Sequence, residues 1–530
     1  MFVEDYVGGA ELTSEAIIQN SLLPVHKVHS QSVTPQLMKK YSNSYWIFGN
    51  FSNLNQHCIV HAIKNLNYSV LEYDYKFCKL RSPEKHMMLE SKCDCESEKY
   101  GKLVSVFFGN AKSVWFMSEK QKKVYCDRFS FLKNKKSKVL SSVFSKKTLD
   151  FIDNIETKIK DNKWIILNSS SWVKGRNNAI SYAEKNNLKY ELVWNLDHTD
   201  LLKKMSKSKG LIYLPSGADT CPRLTIEAKL LDCELILNDH VQHKEEEWFQ
   251  DKHVMMQYLR ERTKVFWSTI ESSWNLDTPK FYTGEETRFN IIVPLWNASL
   301  WIEKSINSVK HQLYKNFNCY IIDDVSTDNS VEVIKKSIKD DDRFTLIENK
   351  TKKFALENIV NTLNNSSIQP DDVNVILDGD DWFSSYNVLS YLNYIYKEHL
   401  CLMTYGSYVY YPKGSRGLEP SSYPEKVIKS NSFRRDIWRA SHLRTFKTSV
   451  WKKINLDDLK DKYGNFYKTA YDQAIMLPLL ELSSDRSKFV DKILHVYNRS
   501  NPNNVDKIKQ VEQSKTAMQI RNKKSYERIK

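Results

Sequence analysis

The sequence predicts an α/β protein in which two Rossmann-like halves are followed by a third region of β-α-β units. Short apolar segments that are typical of buried strands alternate with segments of helical periodicity along most of the 530 residues. Glycine-containing turns follow strands in the first part of the chain, and clustered carboxylates follow two strands in the last part. Because parallel sheets bind ligands at the carboxyl ends of their strands, we expect the functional groups there.

The composition is that of a globular protein with several cores. A chain of 530 residues is too long for a single hydrophobic core and predicts two to four domains. Aromatic residues make up 12% and charged residues 27% of the chain, which excludes a disordered protein. The nine cysteines are an odd number spread over a long chain, and this argues against a disulfide framework.

The net charge of +15 admits nucleic acid, an anionic membrane surface or phosphorylated ligands as partners. We expect no nucleic acid, because the sequence has neither a basic recognition helix nor an RNA-binding aromatic signature. It also has no signal peptide and no apolar run near twenty residues. The expected location is therefore cytoplasmic, with peripheral contact with an anionic membrane as an alternative.

Residues 1–150 are predicted to form the first Rossmann-like half. Residues 1–5 predict a short strand, and Gly8-Gly9-Ala10-Glu11 leads from it into a helix. Glycines before a helix N-terminus can present backbone amides to an anion, although a plain turn explains them equally well. Two further strands are expected, and Ser118 to Gln121 resembles a capping box that opens a helix. These strands are residues 44–48 and 113–117.

Residues 151–250 are predicted to form the second Rossmann-like half, with the division near residues 145–162. A strand at residues 163–168 precedes Trp172-Val173-Lys174-Gly175-Arg176 and a helix. A strand at residues 210–214 continues through a turn into a helix at 224–231, and a last strand follows at 234–237. This alternation is typical of a doubly wound sheet.

A cysteine–histidine cluster lies in the first half. Cys78, His86, Cys93 and Cys95 occupy a short polar segment, and thiolate and imidazole ligands suit a structural Zn²⁺ ion. The spacing is irregular, and His57 and Cys58 lie near enough in sequence to replace one ligand. Buried cysteines beside a surface histidine are the alternative interpretation.

Residues 251–286 are predicted to be a helical linker, with helical periodicity at 254–270 followed by Pro279 and Gly284. Its aromatic side chains are expected to pack against the preceding domain rather than to bind sugar. Residues 505–530 form a basic tail, which we expect to be helical and to lie against the preceding domain or an anionic surface.

Residues 287–504 carry the segment with the strongest functional signal. An apolar strand at 289–294 is followed by a helical pattern at 300–312. A strand at 318–322 ends on Asp323-Asp324, and a strand at 373–377 ends on Asp378-Gly379-Asp380-Asp381. Alternating strands and helices place these carboxylates at one edge of a parallel sheet.

The carboxylates at residues 378–381 predict a divalent cation site. Several ionised carboxylates at one strand end repel each other unless a positive charge lies among them. Mg²⁺ and Mn²⁺ take carboxylate oxygens together with substrate phosphates. We expect Gly379 to allow the sharp backbone turn that brings Asp378 and Asp380 to one site. An acidic turn that caps the next helix is the alternative, which the succession of strand ends disfavours.

At this point the segment resembles the GT-A fold of the family 2 inverting glycosyltransferases. The motifs IIVPLWN, IIDDVSTDNS and DGDD stand in the family's order and spacing, and the resemblance covers roughly residues 287–504. It implies that Pro294 and Asp324 lie against the nucleotide base and that Asp378 contacts the ribose. It also implies that Asp380, in the DXD motif, binds the metal that bridges the diphosphate, and that Lys353 faces the nucleotide.

The same resemblance implies the catalytic residue. The family's base is an acidic residue late in the domain, and Asp472 in Tyr471-Asp472-Gln473-Ala474 matches it, with Tyr471 in place of the usual acid. The phrase from Ser441 to Lys447 resembles an acceptor-side or metal-side segment, so His442 is expected in the metal shell, with His495 as the alternative. The base would deprotonate the acceptor hydroxyl while the metal stabilises the leaving nucleoside diphosphate.

Residues 1–250 resemble the GT-B fold of family 4-type glycosyltransferases. The matches are the Gly8-to-Glu11 turn, Lys174-Gly175, and Asp219 with Glu227 at the spacing of the family's two-acid motif. The resemblance implies that Glu227 holds the nucleotide ribose and Lys174 the diphosphate. The family's arginine before the lysine has no counterpart, which removes a charge-assisted contact. An active and a degenerate GT-B-like module both remain open.

Together these features predict a metal-dependent inverting glycosyltransferase, a hexosyl or related transferase in surface polysaccharide or glycan synthesis. The expected partners are a nucleotide-diphospho-sugar donor and a glycan or lipid-linked acceptor, with Mn²⁺ or Mg²⁺ as cofactor and Zn²⁺ as an optional structural ion. A bifunctional polymerase with two active modules and a non-catalytic nucleotide-sugar-binding scaffold are the alternatives. No motif specifies the sugar, the linkage or the oligomeric state.

Overall fold

The computed structural model describes residues 2–3, 8–134, 137–155, 160–274, 287–364, 367–502 and 510–529. The chain divides into two compact units of mixed α/β structure with parallel strands. The first unit comprises Met1–Ser21 and Val25–Leu276, and the second comprises Leu22–Pro24 and Asp277–Lys530.

The first unit alternates strands and helices as the sequence predicts. Its strands are β1 (Phe2–Val3), β2 (Val28–His29), β3 (Tyr45–Phe48), β4 (Asn67–Glu72), β5 (Val114–Phe116), β6 (Ser137–Val139), β7 (Trp164–Leu167), β8 (Tyr190–Val193), β9 (Gly210–Tyr213) and β10 (Glu234–Leu237). Its helices are α1 (Gly9–Gln19), α2 (Pro35–Lys40), α3 (Gln56–Asn65), α4 (Pro83–Glu90), α5 (Lys99–Asn110), α6 (Glu119–Arg128), α7 (Lys146–Asp153), α8 (Arg176–Lys185), α9 (His198–Lys207), α10 (Arg223–Leu230), α11 (Glu247–Gln250) and α12 (Lys252–Trp274).

Two four-stranded parallel sheets organise this unit. The first has the order β3-β4-β5-β6, and the second has the order β10-β9-β7-β8. In the second sheet the order reverses between β7 and β9, and ligands bind at such switch points in open α/β sheets. Lys174 follows β7 and Asp219 follows β9, so both lie after the carboxyl ends of the strands that flank the switch point.

Local signals explain where the elements of the first unit begin. Ser118 Oγ accepts the backbone N–H of Gln121 at 3.1 Å, which caps α6. The Gln121 side chain does not complete the predicted capping box, because its Oε1 accepts the N–H of Met117 at 2.6 Å instead.

In α12, Trp267 is buried and its indole N–H donates to the carbonyl of Ile17 at 2.9 Å. This helix covers the described part of the predicted linker, and residues 275–286 lie outside the described residues.

The second unit contains the strands whose carboxyl ends carry the predicted carboxylate motifs. Its strands are β11 (Phe289–Leu295), β12 (Phe317–Asp323), β13 (Phe344–Glu348), β14 (Val373–Ile376), β15 (Trp382–Phe383), β16 (Met403–Tyr411), β17 (Arg444–Lys447) and β18 (Ser487–Asn498). Its helices are α13 (Ile302–Lys310), α14 (Ser330–Ile338), α15 (Phe354–Leu363), α16 (Val388–His399), α17 (Glu425–Ser430), α18 (Thr448–Trp451), α19 (Tyr471–Ser483) and α20 (Gln510–Arg521).

These strands form one eight-stranded sheet with the order β13-β12-β11-β14-β17-β16-β18-β15. The strands from β13 to β14 are parallel, whereas β17 pairs antiparallel with both β14 and β16. Buried clusters of apolar side chains cover both faces of the sheet. The strand order reverses between β11 and β14, so the end of β11 and the acidic turn (residues 378–381) flank one crevice.

Gly379 is required by a close approach between strands. Its N–H donates to the carbonyl of Pro294 at 3.1 Å, and a Cβ built on it would lie 2.5 Å from the Cβ of Leu295. Its φ is outside the left-handed region, so the sharp turn predicted from the sequence is not the reason for the glycine. A side chain at this position would separate the acidic turn from β11.

A short segment near the start of the chain belongs to the second unit. Residues Leu22–Pro24 group with it, and the buried indole N–H of Trp382 donates to the carbonyl of Leu22 at 2.7 Å. The second unit is therefore discontinuous in sequence.

A buried ion pair in this unit also contacts the last helix of the chain. Arg434 Nε and Nη2 donate to the carboxylate of Glu481 at 2.7 and 3.0 Å, and Arg434 Nη1 donates to the carbonyl of Ile520 in α20 at 2.6 Å. Glu481 is fully buried and Ile520 is 1% exposed, so this part of the predicted basic tail packs on the domain.

Arg434→Ala is expected to lower the free energy of unfolding by about 3–5 kcal/mol, because it leaves the Glu481 carboxylate buried without its partner. The neighbouring Arg435 is exposed, and Arg435→Ala should change the unfolding free energy by less than about 0.5 kcal/mol. Chemical denaturation of the full chain measures both variants. Equal effects of the two substitutions would contradict the importance of the buried pair.

Candidate active site

The acidic turn is held by residues from β18 and the segment after it. Asp381 is fully buried, accepts the N–H of Asn498 at 2.8 Å, and lies 2.8 Å from His495 Nε2. Asp380 accepts a hydrogen bond from Asn501 Nδ2 at 2.7 Å. These contacts fix the direction of two adjacent carboxylates.

The Asp380 carboxyl lies in surroundings that disfavour its charge. Burial, and then the neighbouring Asp381 and Asp378, raise its pKa to about 8, although the hydrogen bond from Asn501 lowers it. A divalent cation at this point would offset the repulsion and keep Asp380 ionised. Carboxylate oxygens are the ligands that Mg²⁺ and Mn²⁺ prefer, so the donor set fits the predicted metal.

The raised pKa predicts how stability depends on pH and on cations. Between about pH 4 and pH 8 the cation-free folded protein holds a proton on Asp380 that the unfolded chain has lost, so the free energy of unfolding falls as the pH rises. Above about pH 8 this proton no longer competes with a cation, so Mg²⁺ should raise the unfolding temperature more at about pH 8.5 than at about pH 6.

Thermal unfolding with and without Mg²⁺ at both pH values tests this expectation. Asp380→Asn should remove the difference, whereas Asp371→Asn, at an exposed position before β14, should retain it. A Mg²⁺ effect that is the same at both pH values would contradict the assignment of the cation to Asp380.

His442 lies in a buried group with Asp381 and His495. One ligand atom from each of these three residues lies within 4.8 Å of the others, and the two imidazole rings stack at 4.4 Å. Burial lowers the pKa of His495 to about 3 and holds the pKa of His442 well below its usual value, so both are neutral. His495 Nδ1 is buried without a hydrogen-bond partner, which suits a metal ligand. Asp380, the other predicted ligand, does not belong to this group of three.

Tyr471 and Arg444 connect the acidic turn with the predicted base. The Tyr471 hydroxyl donates to Asp378 Oδ1 at 2.5 Å, and Asp472 lies in the first turn of α19, where a carboxylate is favourable. The buried Arg444 Nη2 is 3.6 Å from Asp472 Oδ2 and donates to His442 Nε2 at 3.1 Å. A tyrosine in place of the family's acid thus adds a donor and removes a negative charge next to Asp378.

Asp324 lies at the end of β12 and is almost fully hydrogen-bonded. Its Oδ1 accepts the N–H of Lys353 at 2.8 Å and Nδ2 of Asn349 at 2.9 Å, and its Oδ2 accepts the N–H of Phe354 at 2.9 Å. Burial alone would raise its pKa, but these hydrogen bonds lower it below the usual value. Asp324 therefore fixes the start of α15 and with it the backbone of Lys353, while Pro294 is buried in β11.

In the first unit the structure places Lys174 and Asp219 together at the switch point of the second sheet. Lys174 Nζ is 2.7 Å from Asp219 Oδ2, which also accepts the hydroxyl of Tyr213 at 2.5 Å. Gly175 has φ of +61°, and a Cβ there would lie 1.8 Å from the carbonyl oxygen of Leu214. The glycine of the Lys174-Gly175 pair is thus required by the backbone.

Glu227 is also paired within the first unit. Its Oε1 lies 2.8 Å from His198 Nε2 and 3.8 Å from Nε of the buried Arg223. Arg223 also lies beside Gly9, where a Cβ would be 3.6 Å from its Cδ. The sequence patterns did not indicate Arg223 as a functional residue. The only local signal is its position directly after Pro222, at the start of α10.

The cysteine–histidine cluster comes together in space. Ligand atoms of Cys78, His86, Cys93 and Cys95 all lie within 4.8 Å of one another. His57 and Cys58, the substitutes considered from the sequence, are not members of this group.

The sheet with its acidic crevice defines the second unit as an α/β domain with a carboxylate site at a strand switch point. Residues 290–456 match the model of a family described as Glycosyl transferase family 2. The matched residues lie within the second unit and include the acidic turn.

Several relatives are glycosyltransferases. An "Uncharacterized glycosyltransferase" of Haemophilus influenzae is 33% identical over 123 residues, which are 23% of this chain and 47% of the relative. "Glycosyltransferase GlyA" of Streptococcus pneumoniae is 26% identical over 226 residues, 40% of this chain and 30% of the relative. The chain thus spans half or less of the length of these two curated relatives.

Two solved structures are similar to part of the chain. The Staphylococcus aureus TarS 1–349 structure in complex with UDP-GlcNAc has 16% identity and a TM-score of 0.30, and covers 40% of this chain and 59% of that one. The mannosyltransferase PcManGT from Pyrobaculum calidifontis, in complex with GDP-Man and Mn²⁺, has 15% identity and a TM-score of 0.31. The match covers 50% of this chain and 73% of that one. Across the described residues, the protein has no helix both long and apolar enough to traverse a lipid bilayer.

Proposed function

We propose that the protein is a metal-dependent inverting glycosyltransferase that moves a sugar from a nucleotide-diphosphate donor to a glycan or lipid-linked acceptor. The acidic turn carries this proposal, because it lies at the switch point of the sheet and inside the residues that match family 2. We place the donor in the GT-A-type crevice between the ends of β11 and β14.

The donor would be held by residues at the ends of these strands. Asp380 would hold Mn²⁺ or Mg²⁺, and the ion would neutralise charge on the leaving nucleoside diphosphate. Of the two predicted histidines, His495 is the better candidate for a further ligand, because its Nδ1 has no hydrogen-bond partner among the described residues whereas His442 Nε2 accepts from Arg444. Asp378 would contact the ribose. Pro294, Asp324 and Lys353 would shape the nucleoside pocket, and the hydrogen bonds of Asp324 to the backbone before α15 support this placement.

Asp472 would act as the base that accepts the proton of the acceptor hydroxyl. It lies in the first turn of α19, and its side chain is 19% exposed, so the carboxylate is not closed off from an acceptor. Arg444, 3.6 Å from the Asp472 carboxylate, would orient the base. The carboxylate must be unprotonated to accept a proton from the attacking oxygen.

A second active module is the alternative that the first unit supports. Lys174 and Asp219 lie at the switch point of its second sheet, where ligands bind in open α/β sheets, and Glu227 lies 3.8 Å from Arg223. However, the ion pair to Asp219 already engages the charge of Lys174. A degenerate scaffold that positions the acceptor agrees with the same contacts.

A donor-hydrolysis screen with a panel of nucleotide sugars and Mn²⁺ distinguishes these functions. The wild-type full chain is compared with Asp380→Ala and Glu227→Ala. Loss of turnover in Asp380→Ala alone places the enzyme in the second unit. Two donors, each abolished by a different substitution, indicate a bifunctional protein. Turnover that survives Asp380→Ala for every donor would refute the proposed site, and absence of turnover with measurable donor binding would favour a non-catalytic scaffold.

A further inference from the structure

We propose that Cys78, His86, Cys93 and Cys95 bind one structural Zn²⁺ ion in the first unit. The sequence leaves this open against a set of buried cysteines, but the structure brings all four ligand atoms within 4.8 Å of one another. Cys78, His86 and Cys95 are at most 2% exposed and Cys93 is partly buried, so three of the four ligands are shielded from solvent, as is typical of structural zinc sites. The site does not depend on the proposed transfer reaction.

The separations of the ligand atoms fit tetrahedral zinc. Zinc bonds of about 2.3 Å to sulfur and about 2.0–2.1 Å to nitrogen place two sulfurs about 3.8 Å apart and sulfur and nitrogen about 3.6 Å apart. Cys93 Sγ is 3.7 Å from Cys78 Sγ, and His86 Nδ1 is 3.6 Å from Cys78 Sγ and 3.3 Å from Cys95 Sγ. A disulfide requires about 2.05 Å between sulfurs, which is far shorter than the Cys78–Cys93 separation.

The contact behind His86 is an independent sign of a metal ligand. Its Nδ1 faces the cysteines, and its Nε2 lies 2.9 Å from Oε2 of Glu90, four residues further along α4. Zinc-binding histidines commonly donate their second ring N–H to a carboxylate, which fixes the tautomer and raises the basicity of the ligating nitrogen. Glu90 also accepts a hydrogen bond from Lys79 at 2.8 Å, so the carboxylate is itself oriented.

Neighbouring residues hold the backbone of the two closely spaced cysteines. Arg128 Nη1 donates to the carbonyl of Cys93 at 3.1 Å and to Glu96 at 2.6 Å. At Gly101 in α5, a Cβ would lie 2.0 Å from the carbonyl oxygen of Cys95. The segment that carries the ligands is therefore positioned from outside the ligand set.

The ion would stabilise the position of α4, which contacts the loop that contains Ala218. Glu84 lies two residues before His86, and its Oε2 accepts the N–H of Ala218 and lies 3.4 Å from His240 Nδ1. Ala218 directly precedes Asp219, the partner of Lys174. Zinc at the cluster would thus stabilise the loop that presents Asp219.

Metal analysis of the full chain tests the proposal. The protein is purified without a metal-binding tag and dialysed against metal-free buffer, and we expect about one zinc per chain. Cys95→Ser should lose this zinc. Cys126→Ser removes a buried cysteine of the same unit outside the cluster and should retain it. His495→Phe should also retain it, which excludes zinc bound by Asp381, His442 and His495.

A ligand-replacing variant separates zinc binding from folding. His86→Cys supplies a thiolate in place of the imidazole and should keep the zinc, whereas His86→Phe should lose it. Cobalt exchanged into the wild type should show thiolate-to-cobalt charge-transfer bands that are absent in Cys95→Ser. Zinc-free wild-type protein, zinc retained in Cys95→Ser, or a thiol count two below nine in denaturant would each overturn the proposal.

Discussion

Asp380→Ala is expected to reduce sugar transfer by roughly 10³-fold or more, because a bound metal ion supplies several kcal/mol of transition-state stabilisation. The substitution removes the carboxylate whose pKa burial and the neighbouring acids raise to about 8, and with it the place where a cation would relieve the repulsion. Initial rates with the preferred donor, measured over a range of Mn²⁺ concentrations, give the effect on both turnover and metal dependence.

Asp371→Ala provides the matched control for this substitution. Asp371 is exposed and lies just before β14, at the end of the strand opposite to the acidic turn. It should transfer sugar at close to the wild-type rate. If Asp380→Ala retained most of the activity, or if excess Mn²⁺ left the wild type unaffected, the proposed metal site would be wrong.

Asp472→Asn is expected to lower kcat by roughly 10²–10⁴-fold while the KM for the donor changes little. Asparagine keeps the shape of the side chain but cannot accept the proton of the acceptor hydroxyl. The loss should appear in transfer, because the base acts on the acceptor and not on the donor. Steady-state kinetics with donor and acceptor varied separately measures this split.

Asp485→Asn tests whether a charge near the other end of α19 matters equally. Asp485 is exposed and follows the helix, so its substitution should leave both constants near their wild-type values. A rise in the donor KM with unchanged kcat in Asp472→Asn would instead assign Asp472 to donor binding.

The parts of the fold that local sequence determines could be predicted. β11, β12 and β14 are fully or almost fully buried strands, so each forms a short, largely apolar run, and the last two lead into acidic residues. The prediction of alternating strands and helices is confirmed for both units. The family 2 resemblance is confirmed for residues 290–456.

Contacts between distant segments could not be predicted. Arg444 is 28 residues before Asp472 in sequence, and its role depends on β17 lying next to β14 in antiparallel pairing. Asp381 is adjacent to the predicted ligand Asp380, but only the fold shows that His495 and Asn498 hold it. Likewise, the reason for Gly379 is the nearby Leu295, which no local pattern reveals.

The site assignments differ in how far the structure supports them. The acidic turn, Tyr471 and Asp472 lie in one connected set of contacts, which favours the proposed catalytic roles. The GT-B-like assignment of the first unit stays a prediction that rests on Lys174, Asp219 and Glu227. For these residues the decisive observation is turnover of a second donor.

The hydrogen bond from Trp382 to Leu22 has a practical consequence for dividing the protein. A fragment that begins after residue 276 would keep the whole family 2 match and would still lack the acceptor for a fully buried indole N–H. An unsatisfied buried donor costs about 1–3 kcal/mol, which is a large part of the stability of a typical domain. Low yield or weak activity of such a fragment would therefore reflect a missing piece of the fold, and a fragment that supplied residues 22–24 in trans or by fusion should recover it.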